Sequence, residues 1–457
     1  MLCTVAGLGC GDSGRDRDSR VAPHLPGDAD TGDTASPPLS CGGVQSADPG
    51  DVQAPIAHYS GPVAYQLAFD GDPDGDGCSD LFMGSPYLSR EGGVIHRATA
   101  GGSDPIVVRA GWPGQLTGFS LHVGGDLTGD DVVDMVVGSA DLGGPGHGGD
   151  VAIYPGSPGG IQLIAPAAAL LGDDDRQVGF SVATGPADDD GALDLAVSSR
   201  RPGGLEVWLF RGPLPARFGF GDALATVYTR GEGGILGNGI DLVDLDGDGA
   251  AELVAGAPNL YDGLGAVLVF AGPVTGALAG LAADGAWVGE QGAGPVGVYA
   301  RGAGDVDGDG VGDVVVGVPN DDEGAEDAGA VYLVSGLPAG EWGLSAARGK
   351  RFHDGYRASA GNTAACGDVD GDGHADVLVT GPGSDELVVD EGAAWLLLGP
   401  WDGVAAIDTA ARSWAGPQQG GLLGMAVACG QDFDGDGSAD AALGAPGTRD
   451  VYLFPLP

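Results

Sequence analysis

Seven copies of one acidic nonapeptide recur along the chain, with successive starts 54 to 64 residues apart. Such a period restricts the chain to a repeat architecture, in which each unit is one supersecondary element that buries its faces against its neighbours. The copies read DPDGDGCSD from Asp72, DLTGDDVVD from Asp126, PADDDGALD from Pro186, DLDGDGAAE from Asp244, DVDGDGVGD from Asp305, DVDGDGHAD from Asp368 and DFDGDGSAD from Asp432.

The same features flank every copy. A short segment precedes the loop, often with a glycine before an apolar residue, as in Gly118-Phe119, Gly179-Phe180, Gly239-Ile240 and Gly424-Met425. An apolar strand follows at once, for example ELVAGAP or DVVVGVP, and a glycine turn leads to a third strand such as GAVLVF or GAAWLLL. A fourth short segment ends on a glycine, among them Gly172, Gly289 and Gly416. Four short strands bounded by turn residues make one small antiparallel sheet, which cannot cover both its faces alone. Radial stacking solves this, so the expected fold is all-β: a seven-bladed β-propeller of four-stranded antiparallel blades. A linear solenoid is the competing arrangement. The last unit stops at its third strand, Val451–Phe454, while APIAHYSG at 54–61 resembles the fourth strands elsewhere. The N-terminal strand is therefore expected to complete the last blade and remove a frayed edge.

Within the loop, Asp at positions 1, 3 and 5 and an acid at position 9 can converge on one point, and glycine at position 6 permits the positive φ of the turn. An all-oxygen, carboxylate-rich set suits calcium, with magnesium second. The complete sets are Asp72/Asp74/Asp76/Asp80, Asp305/Asp307/Asp309/Asp313, Asp368/Asp370/Asp372/Asp376 and Asp432/Asp434/Asp436/Asp440. The set Asp244/Asp246/Asp248 closes with Glu252, and the weaker set is Asp126, Thr128, Asp130 and Asp134. The third loop keeps only Asp188, Asp190 and Asp194, and is expected to be poor or empty. The ions are expected to be several and structural. An EF-hand is excluded, because its loop has twelve residues between helices.

Composition narrows the function. With 65 acids against 19 bases the formal net charge is −46, which repels nucleic acid and anionic membranes. The 91 glycines fall at matching places in the units, marking turns and not low complexity. No nucleophile elbow, P-loop or zinc motif occurs, and the seven histidines are scattered. Trp112, Trp287, Trp342, Trp401 and Trp414 lie in or near segments between blades, where they either pack or stack on a ligand.

The chain divides into a leader-like segment at 1–10, an Asp/Pro/Gly/Ser-rich flexible spacer at 11–51 and the repeats at 52–457. MLCTVAGLGC is too short to span a bilayer. It resembles the end of a bacterial lipoprotein signal peptide with Cys10 as the lipidated residue; a plain secretory signal is the alternative. Cys366 and Cys429 occupy equivalent places just ahead of adjacent loops and form a candidate disulfide, leaving Cys41 with Cys78.

The order of Gly-Phe, acidic loop and Gly-Ala-Pro, as in GNGIDLVDLDGDGAAELVAGAP, resembles the FG-GAP repeat of the integrin α-subunit N-terminal propeller. Departures are visible: the phenylalanine stands only at Phe119 and Phe180, and Gly-Ala-Pro only at Gly256–Pro258 and Gly444–Pro446. The resemblance implies a seven-bladed propeller with calcium in the loop between the first two strands and a partner on the opposite face. The combined expectation is an exported, calcium-binding binding or adhesion module for an extracellular protein or glycan. It would be monomeric and located as a bacterial outer-membrane or cell-surface lipoprotein, or as a secreted protein. A carbohydrate-active enzyme (polysaccharide lyase or hydrolase) on the same scaffold, or a multivalent lectin, are the alternatives.

Overall fold

The apolar segment after each acidic loop is buried on both faces, as in Glu252–Ala257, Asp313–Val318 and Asp440–Ala445, where every residue is buried. Such two-sided burial requires a sheet on either side, which a propeller supplies. A computed structural model describes residues 55–60, 65–70, 79–89, 92–99, 106–109, 115–141, 148–156, 166–173, 176–201, 204–228, 239–279, 282–291, 294–355, 357–386 and 388–457.

The described strands form seven sheets. In each, the strand before the acidic loop pairs antiparallel with the strand after it, and this second strand pairs with the third. The expectation of uniform four-stranded antiparallel units is corrected in three sheets, which contain five strands. Gly276–Ala279 adds in parallel to Ala225–Tyr228, Gly340–Gly343 to Gly285–Val288, and Gly403–Ala406 to Gly349–Phe352. Each added strand belongs to the long connection between the third and fourth strands of the following unit. Laid against the preceding sheet, it hydrogen-bonds an edge that would otherwise expose unpaired backbone groups. Ala57–Ser60 pairs antiparallel with Asp450–Pro455, in the register Ala57 to Leu453.

The cores lie between neighbouring sheets. Ala183, Val207 and Val227 pack against Ile240, Leu253 and Leu268 of the next sheet. Val254, Val267 and Trp287 likewise meet Val314, Val316 and Tyr332. Leu67, Leu81 and Met83 of the first sheet pack with Ala442, Val451 and Leu453 of the last, so hydrophobic contact joins the two ends of the series. Cys366 and Cys429, on neighbouring innermost strands, are linked by a disulfide across 63 residues of sequence. Trp287, Trp401 and Trp414 are buried packing residues, whereas Trp342 is 51% exposed. Among the described residues no helix is long and apolar enough to cross a membrane. The expected leader and spacer with Cys10 and Cys41, together with Asp72, Asp74, Asp76, Cys78 and Trp112, lie outside the described residues.

Candidate metal centres in the acidic loops

The described loops that keep their first acid are each folded around that carboxylate. Asp305 accepts N–H bonds from Gly308 at 2.7 Å and Asp309 at 3.0 Å on Oδ1, and from Gly310 at 2.9 Å on Oδ2. Asp368 and Asp432 repeat this pattern with their own glycines. The third and fifth acids cap the residue two positions ahead, as Asp307 does for Asp309 and Asp309 for Val311. The ninth acid reaches back and accepts from the second residue of the loop: Asp313 from Val306 at 2.8 Å, Asp376 from Val369 at 2.8 Å, Asp440 from Phe433 at 2.8 Å. Glu252, one methylene longer, makes the same bond to Leu245 at 2.7 Å.

This geometry gathers carboxylates in four loops. Oxygens of Asp244/Asp246/Asp248, Asp305/Asp307/Asp313, Asp368/Asp370/Asp376 and Asp432/Asp434/Asp440 lie within 4.8 Å of one another. The sets differ from the expected ones: Asp309, Asp372, Asp436 and Glu252 are not among these converging atoms. Asp126, Asp130 and Asp134 do not form such a group. There Asp126 is taken up by N–H bonds from Thr128, Gly129, Asp130 and Asp131. Asp80 of the first loop is buried at the start of its strand.

Burial makes the ninth acid costly without a counter-charge. Asp440 is pushed up to about 7 by desolvation first and by the neighbouring Asp434 and Asp436 next, outweighing the N–H bonds it accepts. Asp313 is raised to about 6 by the same burial, with Asp307 adding to it. Asp376 and Glu252 shift upward for the same leading reason. In Asp376 and Glu252 the second oxygen is satisfied by the N–H of Gly399 or Gly272, the glycine that closes the third strand. At the last loop, Leu456 stands in the matching place and donates instead to Ala439. Oδ1 of Asp440 is consequently buried and accepts no hydrogen bond. A buried, unpartnered carboxylate oxygen beside two further carboxylates fits a hard divalent cation.

The third loop solves the same charge problem differently. Arg211 places Nη2 2.5 Å from Asp188 and Nε 3.7 Å from Asp190. A guanidinium thus stands against the carboxylates of this loop. Arg211 stands just after the third strand, where the other units have Ala271, Ser335 or Leu398. Sequence reading missed it, although the signal was present: the one loop lacking its first acid is the one whose unit carries arginine there.

The FG-GAP repeat family matches residues 288–334 and 360–397, each segment containing one of these converging loops. Integrin alpha-PS5 of Drosophila melanogaster is 33% identical over 167 residues, covering 34% of this chain. Integrin alpha-PS2 of the same organism is 27% identical over 251 residues, covering 50% of this chain. The chain spans only 15% and 17% of the length of these two relatives. Among solved structures, a chain of the crystal structure of an active polycomb repressive complex 2 in the basal state superposes with a TM-score of 0.53. That match covers 88% of this chain and 97% of the other at 9% identity, a likeness of fold alone. This chain is an all-β propeller that carries FG-GAP repeats and is similar to integrin α subunits.

Proposed function

We propose that the chain is an extracytoplasmic, calcium-stabilised seven-bladed propeller that serves as a binding or adhesion module for a protein or glycan partner. The observation that carries the calcium reading is the repeated gathering of three carboxylates in one kind of loop, with a buried Asp440 oxygen left without a donor. Asp244/Asp246/Asp248, Asp305/Asp307/Asp313, Asp368/Asp370/Asp376 and Asp432/Asp434/Asp440 would hold the ions. An ion supplies fixed positive charge there, and the residues supply rigidity to the hairpin. Four filled loops would bring 4 × 2 = 8 positive charges against a net −46, relieving self-repulsion. Closure of the ring by the N-terminal strand is supported by its pairing with Asp450–Pro455 and by the shared core of the first and last sheets. Similarity to integrin α subunits supports the adhesion role.

Thermal unfolding in calcium and in chelator tests the metal. A site with a Kd of about 10⁻⁴ M adds roughly 1.4 kcal/mol at about 1 mM free calcium, so several sites raise the midpoint by many degrees. An unchanged midpoint in chelator contradicts the proposal. The calcium-loaded chain applied to glycan and extracellular-protein arrays tests the binding role. Retention on defined spots is expected, and turnover of an arrayed polysaccharide without retention points instead to an enzyme.

A further inference from the structure

A cavity of about 330 Å³ opens among the innermost strands of the sheets. Strand register allows its walls to be compared level by level. In each unit, the residue opposite the second position after the ninth loop acid marks one level. These residues are Ala68, His122, Ala183, Asp241, Arg301, Ala364 and Ala428. Three of the four alanines, Ala68, Ala364 and Ala428, line the cavity and leave room, and the three remaining units place an imidazole, a carboxylate and a guanidinium at the same level. All three chemistry-bearing residues line the cavity.

The cluster is not a satisfied ion-pair network. Asp241 is fixed by N–H bonds from Leu242 at 3.0 Å and Gly302 at 2.9 Å. Among the described residues, no carboxylate lies within the 4.0 Å ion-pair distance of Arg301. His122 is held below its usual range by burial first, with Asp241 pulling it up and Arg301 pushing it down. In a chain with 65 acids and 19 bases, an arginine that lines a cavity with no described carboxylate within ion-pair distance needs an explanation other than solubility. Arginine is the side chain best matched to a carboxylate, which it holds through two parallel N–H bonds. A cavity of this volume, its walls more polar than apolar, is at the lower end of the sizes that hold small molecules.

The geometry points to the central cavity as a binding site for a small organic carboxylate, with Arg301 holding the carboxylate and His122 and Asp241 taking a neighbouring hydroxyl. No ion in the acidic loops takes part, so this site and the proposed calcium sites succeed or fail independently. The loops use the carboxylates after the first strand, whereas the cavity uses side chains on it.

Isothermal titration of the full, calcium-loaded chain with sodium D-glucuronate, and with D-glucose as the neutral counterpart, tests the assignment. Saturable binding of glucuronate and none of glucose is expected, with a loss of at least tenfold in Arg301→Gln and a smaller loss in Arg301→Lys. Thermal unfolding of each variant verifies that it is folded. Should Arg301→Gln fail to fold, the wild-type chain is treated with phenylglyoxal and mapped by peptide mass: protection of Arg301 by glucuronate supports the site. Equal binding of glucose and glucuronate, absence of glucuronate binding, undiminished binding in a folded Arg301→Gln, or no protection in mapping overturns it.

Discussion

At the scale of single residues, the informative comparison is between Arg211 and the ions proposed for the other loops. Both answer the same problem, a set of acids placed close together by an Asp-Gly turn. The side chain of Asp188 is 5% exposed, while that of Arg211 is 55% exposed. Removing the arginine leaves a buried charge without its partner, which is strongly destabilising in a fully buried pair. Solvent at the guanidinium reduces that cost. Arg211→Gln is therefore expected to lower stability by about 1–2 kcal/mol in urea titrations. A variant as stable as wild type would show that the pair contributes nothing. The loop acids themselves were legible in the sequence because spacing alone places them. Which three of each set converge was not, since spacing alone does not fix the direction of each side chain.

At the scale of elements, the glycines of the repeat have a steric reason. A Cβ added to Gly256, in the strand after the loop, would run into the carbonyl of Gly297, at the entry to the next unit. Gly84 meets Gly118, and Gly317 meets Gly361, in the same way. Gly297 also has φ of +93°, which an L side chain rarely adopts. The two glycines of the motif therefore meet across neighbouring sheets and set how closely the units stack. Where one partner is replaced, the contact is rebuilt: Thr380 stands opposite Gly424 and donates its hydroxyl to that carbonyl at 2.7 Å. Gly297→Ala is expected to cost about 3 kcal/mol through positive φ and overpacking together. Denaturant unfolding measures this, and a loss below about 1 kcal/mol would remove the steric reading. The hairpin about each loop was legible from the alternation of apolar strand and turn. The fifth strands were not, because segments such as Gly276–Ala279 (GALA) have no strand pattern and pair only where a neighbouring sheet presents an edge.

For the whole molecule, the repeat made the propeller architecture legible, since a small sheet with two apolar faces has few other ways to cover them. The composition of the cavity was not. His122, Asp241 and Arg301 come from units that are far apart in sequence, and only the strand registers bring them to one height. The two kinds of site also differ in how charge is handled. The cavity holds a guanidinium outside ion-pair distance of its one carboxylate, while in the loops burial first, and neighbouring acids next, raise Asp313 to about 6 and Asp440 to about 7. A proton relieves that strain at acid pH, and a divalent cation would do so at neutral pH. Stability of the metal-free chain is thus complete below the ordinary carboxylate range and falls as pH rises through about 6 to 7.

Native mass spectrometry of the chain, equilibrated at neutral pH with calcium and then exchanged into volatile buffer, counts the ions directly. At least four bound calcium ions per chain are expected, one for each converging loop, and one fewer in Asp440→Asn. A mass that does not change with calcium would contradict the reading of these loops as cation sites.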